Sequence, residues 1–207
     1  VQEFLETVKR RAEGHIESPF IEYLLSVKYL SEPAREFIDG YRQQFNSEGH
    51  PKAKGLKIAL QLPKSWKANE GERSHILQKW TSQNGTGFEM ISLDIRDSEV
   101  PTDAKIEELV SSGKIRESIP NGATYINSGV FSLEGRKGNW IELTNKQEKL
   151  GVEMYQHGIE YQLYYNDKAI TLLCLSSNPD KKMADDRLEN IKPLFLLVLN
   201  HFILLQA

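Results

Sequence analysis

The sequence predicts an α+β fold organised around an antiparallel sheet, and three observations carry that expectation. In GLKIALQLP, Leu56, Ile58, Leu60 and Leu62 fall on one face and Lys57, Ala59 and Gln61 on the other, the two-residue period of a half-buried strand. Beyond residue 123, five apolar or alternating runs are punctuated by NG, EGRKGN, HG and ND turn signals, the spacing of an antiparallel meander. Capped helical segments lie before and after that meander.

At the N-terminus, Val1, Phe4, Leu5, Val8 and Ala12 recur at helical spacing up to Gly14, and Ser18 with Pro19 resembles an N-cap and first-turn proline opening Phe20 to Leu30. A second such start at Ser31 and Pro33 places Ala34, Phe37, Ile38, Tyr41 and Phe45 on one helical stripe. The polar run NSEGHPKAKG then suits a linker. The chain is therefore expected to divide into a helical segment over 1–48 and a sheet domain over 49–207.

The domain opens on the GLKIALQLP strand, which ends at Pro63 because proline cannot donate to a ladder. Trp66 follows as a large apolar body sealing the sheet edge, a commoner role for tryptophan than ligand platform. HILQKWTS and FEMISLDIRD continue as strands. In PTDAKIEELVSSG, Thr102 caps, Asp103 favours the helix dipole, Ile106, Leu109 and Val110 face inward and Gly113 is the exit. The meander follows as Ala123 to Leu133, Asn139 to Thr144, Val152 to Tyr155, Ile159 to Tyr165 and Ala169 to Leu175. ITLLCLS is apolar on both sides, as a central strand with helices on both faces would be. Asn178 and Pro179 open a late helix that Pro193 is expected to break or kink sharply, since an interior proline costs about 3 kcal/mol.

With 207 residues, 39% hydrophobic and 27% charged, the chain is long enough to bury roughly 70% of its unfolded surface. The net charge of −3 and the interspersed acids and bases disfavour nucleic acid as a partner. The most apolar run, PLFLLVLNHFILL, is shorter than the ~20 residues of a membrane span and contains Asn200 and His201, so it reads as a core element. The chain starts at Val1 without a recognisable signal peptide, which favours a removed leader or a shortened chain, and an exported location is marginally preferred to a cytoplasmic one. The lone Cys174 excludes an internal disulfide.

Chemistry-bearing motifs are scarce. His15, His50, His75, His157 and His201 are isolated, with no HExxH, CxxC or GxSxG, so no metal or cofactor is expected. Cys174 sits inside an apolar strand, where burial makes a thiol inert, and Ser176 and Ser177 read as helix-capping residues beside Asn178. The glycines of NGTG and EGRKG fit hairpin turns and lack phosphate-loop spacing. Asp94 with Asp97, and Asp185 with Asp186, read as solvated surface. Among the tyrosines, Tyr161 and Tyr165 share a strand face with Leu163, whereas Tyr164 points to the other.

LPKSW after a strand, VPTDAKIEELV after the third strand, the closing ITLLCLSS and the final IKPLFLLVLNHFIL together resemble the PsbP-like superfamily over residues 55 to 205. That group embraces the photosystem II extrinsic protein, bacterial exported lipoproteins and a Ran-binding nuclear-import factor. The resemblance implies an α/β/α sandwich around a central antiparallel sheet, here with a helical N-terminal extension, and roles in binding and assembly that differ between branches. The expected function is a noncatalytic module acting through protein–protein contacts, with Phe37, Tyr41, Phe45, Trp66 and Tyr164 as its candidate interaction surface. The alternative is a hydrolase-type enzyme whose residues converge only in three dimensions. A cleft with two convergent titratable groups favours the enzyme, and a grooved apolar patch favours the binding module.

Overall fold

The strand predicted at GLKIALQLP forms as β2 (Lys57–Pro63), with Ile58, Leu60 and Leu62 buried on its inner face. In the computed structural model, which describes residues 30–149 and 151–205, β2 lies outside the main sheet. It pairs antiparallel with β1 (Arg42–Asn46) on one side and β10 (Ile203–Leu205) on the other. Trp66 follows, 2% exposed as a sealing residue should be, although its indole N–H meets no acceptor among the described residues.

The main sheet has seven strands: β3 (Lys67–Glu70), β4 (Ile76–Asn84), β5 (Gly87–Asp97), β6 (Thr124–Leu133), β7 (Arg136–Lys149), β8 (Val152–Tyr165) and β9 (Lys168–Asn178). They run in the order β3-β4-β5-β9-β8-β7-β6, every neighbour antiparallel. The hairpins turn where the sequence signals them, at Glu134–Gly135 and at Asn166–Asp167, all in the left-handed conformation those turns require. Directly paired residues share a face, so Ile91, Cys174 and Ile159 form one inward row and Leu93, Leu172 and Tyr161 the next.

That inner face is covered by α3 (Lys181–Asn200), whose Leu188, Ile191, Leu194, Phe195, Leu197 and Val198 are buried. The small sheet and α1 (Glu32–Ile38) contribute to the same core through Leu60, Leu62, Ala34 and Phe37. Each buried leucine, isoleucine, valine or phenylalanine here adds about 1.5–3 kcal/mol of apolar transfer, which makes this layer the main source of stability. On the outer face runs an arm made of α2 (Asp103–Ser111) and a 3-10 turn (Lys114–Ser118), returning to β6 through Ala123. Thr102 caps α2 by accepting from Lys105 N–H, and Ile106 and Ile115 are the arm's buried residues. The expected α+β class, with helices on both faces of an antiparallel sheet, is the observed one.

Four expectations change. The stripe from Ala34 to Phe45 is not one helix, because α1 ends at Ile38, Gly40 turns the chain with φ +89°, and residues 42–46 extend to pair with β2. The helices expected before Leu30 lie outside the described residues. HG at 157–158 is no turn: β8 runs through it, and Gly158 brings two backbones close, since a Cβ there would lie 3.0 Å from the Cys174 carbonyl oxygen. Pro193 sits inside a single helix run, and the carbonyl it cannot bond belongs to exposed Glu189, where water can serve it. Asp180, and neither serine, caps α3; its carboxylate accepts from Met183 N–H, while Ser176 and Ser177 are buried within β9.

Candidate functional site

The outer face of the sheet is set by the alternation along β8. Ile159, Tyr161 and Leu163 turn inward, so Gly158, Glu160, Gln162 and Tyr164 turn outward beside Leu173 and Leu175 of β9. The arm crosses this face above β6 and β7 and leaves a cleft at each end. One, about 110 Å³, is walled by Pro120, Ala123, Leu143, Leu173 and Leu175 with Glu160 at its side. The other, about 250 Å³, lies between Val100, Pro101 and Ile106 of the arm's start and Arg136, Tyr164 and Tyr165. Residues 160 and 164 are four apart on one strand, a separation of about 13 Å, so a single partner can span both clefts.

The charges on this face are unevenly matched. Burial raises the Glu160 carboxyl above its ordinary value, the charge of Asp94 adds to the rise, and Arg96 offsets part of it. No hydrogen bond or ion pair reaches Glu160 from the described residues. Asp94 is also raised by burial, but it has partners: Ser92 Oγ donates to it at 3.0 Å and His75 Nε2 lies 4.0 Å away. Arg96 is occupied with the same imidazole at 2.9 Å. Burial and Arg96 together lower the His75 pKa. Burial raises the Tyr164 phenol, whose hydroxyl donates to Gln162 Oε1 at 3.1 Å with Asn139 Oδ1 at 3.4 Å as a second acceptor.

The opposite face carries the constellation that most resembles a catalytic one. His157, 7% exposed, has Nδ1 2.9 Å from Asp185 of α3 and Nε2 2.9 Å from Glu142 of β7. A neutral ring donates through one nitrogen only, so both bonds can be donated only by the protonated ring. Lys192 adds a bond to Glu142 at 3.0 Å and another to Glu189. Burial alone would raise Glu142, but the hydrogen bonds from His157 and Lys192 outweigh it and hold the carboxyl below its ordinary value. Both ring nitrogens are consumed, and the group ties β7 and β8 to α3. A third cleft, about 500 Å³, is lined by Ser31, Glu36, Ser65, Glu89, Arg187 and Asn190. At its base Glu89, raised by burial, faces Arg187 at 3.5 Å.

The residues singled out in the sequence do not form one surface. Phe37 and Trp66 are core residues, and Phe45 packs edge to face on Trp80 at 5.2 Å. Aromatic side chains at the junction of two sheets bury more area than an interface would give them, which is why these three point inward. Tyr41 is 63% exposed but shares no described cleft with Tyr164. Tyr164 does reach the outer face, as its alternation with Tyr165 predicted. Cys174 is fully buried, and burial pushes its thiol well above the ordinary value. Glu160 was not anticipated; its signal was a lone acid between the inward residues Ile159 and Tyr161, beside the glycine misread as a turn. Among the described residues no group of three metal-ligating side chains converges, and no helix is long and apolar enough to cross a membrane.

No family model matches this sequence, and no curated protein matches it. Solved structures do. Cyanobacterial PsbP (CyanoP) from Synechocystis is 14% identical with a TM-score of 0.50, covering 80% of this chain and 93% of its own. LpqN, involved in cell envelope biogenesis of Mycobacterium tuberculosis, is 12% identical with a TM-score of 0.48, over 81% of this chain and 94% of its own. A Pseudomonas aeruginosa protein of unknown function is 11% identical with a TM-score of 0.38, over 81% of this chain and all of its own. The first likeness establishes a PsbP-like fold.

Proposed function

We propose that this chain, PsbP-like in fold, is a noncatalytic binding or assembly module that contacts another protein through the outer face of its sheet. The observation that carries the reading is the row Gly158, Glu160, Gln162 and Tyr164 along β8, which lines the clefts at the two ends of the arm. Its clefts, about 110 and 250 Å³, fall below the roughly 300–1,000 Å³ of small-molecule sites, yet they suit side chains projecting from a flat partner. The hydrolase alternative is weakened by His157, the best general-base candidate, which is buried with both nitrogens engaged. An exported location remains part of the proposal; a thiol as deeply buried as Cys174 is compatible with an oxidising compartment.

A photo-crosslinking residue placed at position 164 in native lysate tests the reading, with position 41 as the exposed control. A discrete crosslinked protein from 164, competed by unlabelled wild type and absent from 41, is expected. Equal products from both positions contradict it, as does enzyme-like turnover of ester, phosphate or glycoside substrates that His157→Gln abolishes.

A further inference from the structure

We propose that the cleft beside Glu160 receives one long cationic side chain, lysine or arginine, projecting from the partner protein. This deepens the binding reading above and rests on it. The cleft's volume of about 110 Å³ is that of a single side chain and not of a metabolite, given the roughly 300–1,000 Å³ such ligands occupy. Its apolar walls are Pro120, Ala123, Leu143, Leu173 and Leu175, against which an aliphatic stem lies down, and Asn145, Gln156 and Glu160 are its polar lining. Gly158 keeps the floor open, because a Cβ there would press on the Cys174 carbonyl oxygen and on Leu175 at 3.0 Å.

The one acidic group of that lining is Glu160, half-buried and without a hydrogen bond or ion pair among the described residues. A carboxylate removed from water without a counter-charge is costly, and an incoming cation relieves that cost. Among the described residues no cation forms an ion pair with Glu160, and Arg96 only offsets part of its rise from a distance. Arg96 bonds His75 at 2.9 Å, and Arg116 of the arm stacks over Tyr125 at 4.4 Å. In the adjoining cleft beyond Asn145 and Gln156, Lys146 pairs with Glu153 and Lys181 with Asp185. Asp94, the other acid on this face, is occupied by Ser92 and His75, and it reinforces the negative potential that steers a cation inward.

The test uses the full chain, isotope-labelled, with N-acetyl-arginine methylamide as probe and N-acetyl-norleucine methylamide as its uncharged counterpart, read by NMR. Saturable shifts of the Gly158 and Leu175 amides, and a Glu160 carboxyl pKa that falls on saturation, are expected for arginine. The norleucine probe and the Glu160→Gln variant are each expected to bind at least about tenfold more weakly, the worth of one charge-assisted contact. Ala123→Leu, which fills the cleft and leaves Glu160 in place, is expected to remove the shifts as well. No saturable shift with arginine, equal response to the two probes, or undiminished binding by Glu160→Gln or Ala123→Leu overturns the proposal. Crosslinking from position 164 does not depend on Glu160, so a partner still captured by Glu160→Gln at full strength sinks the cation site and leaves the binding module standing.

Discussion

At the scale of single residues, Glu160 and His157 lie on opposite faces of one strand and have different partners. Glu160 has a folded pKa above its ordinary 4.5, so the native state holds its proton more tightly than the unfolded chain does. Stability from this group therefore falls as pH rises from about the ordinary carboxylate value through the raised folded one, and is flat above it. Glu160→Gln is expected to unfold at higher denaturant than wild type at neutral pH, with the gain shrinking as pH is lowered through that window; a gain constant with pH contradicts the assignment. His157, in contrast, holds two carboxylates in place. Replacing it by glutamine leaves buried Glu142 short of a donor and is expected to cost about 3 kcal/mol in urea unfolding, the lower end for breaking a buried pair because Asp185 is partly exposed. Cys174 should react with thiol reagents only as fast as the protein unfolds. Its burial was legible from ITLLCLSS. The His157 cluster was not, because Glu142, His157, Asp185 and Lys192 come from three elements and no sequence spacing joins them.

At the scale of elements, alternation was a better guide than turn chemistry. The two-residue period placed β2 and told Tyr164 from Tyr165 in the second half of β8, since facing is fixed once a strand is fixed. Glycine has two different roles in these hairpins. Gly135 does turn the chain, whereas Gly158 lies mid-strand, where a Cβ would sit 3.0 Å from the Cys174 carbonyl oxygen and Leu175 Cβ of β9. Gly158→Ala is thus expected to destabilise by about 1–3 kcal/mol through overpacking, measured by thermal or denaturant unfolding, and to narrow the Glu160 cleft. Residues 42–46 went wrong because Phe37, Tyr41 and Phe45 fit a helical period and a strand edge equally well. Only pairing with β2, a long-range contact absent from local sequence, decides between them.

At the scale of the molecule, one face of the sheet carries the main core, and on the other the described residues leave two clefts beside the arm. α3, α1 and the small sheet share the inner core, so truncating Phe195 to alanine is expected to cost about 3–5 kcal/mol. Deleting residues 1–48 removes Ala34, Phe37 and the whole of β1 from that core, and a large fall in Tm should follow. The PsbP-like layering was visible in the order of elements, because strands and capped helices leave local marks. The outer surface was not, since it depends on how the arm from Asp103 to Ala123 lies across β7. The most direct test of that surface is capture of the crosslinked partner by Val100→Glu, a substitution at an exposed rim position of the Tyr164 cleft. The account predicts an unchanged Tm with loss of the partner; full retention of the partner by a folded Val100→Glu protein would contradict it.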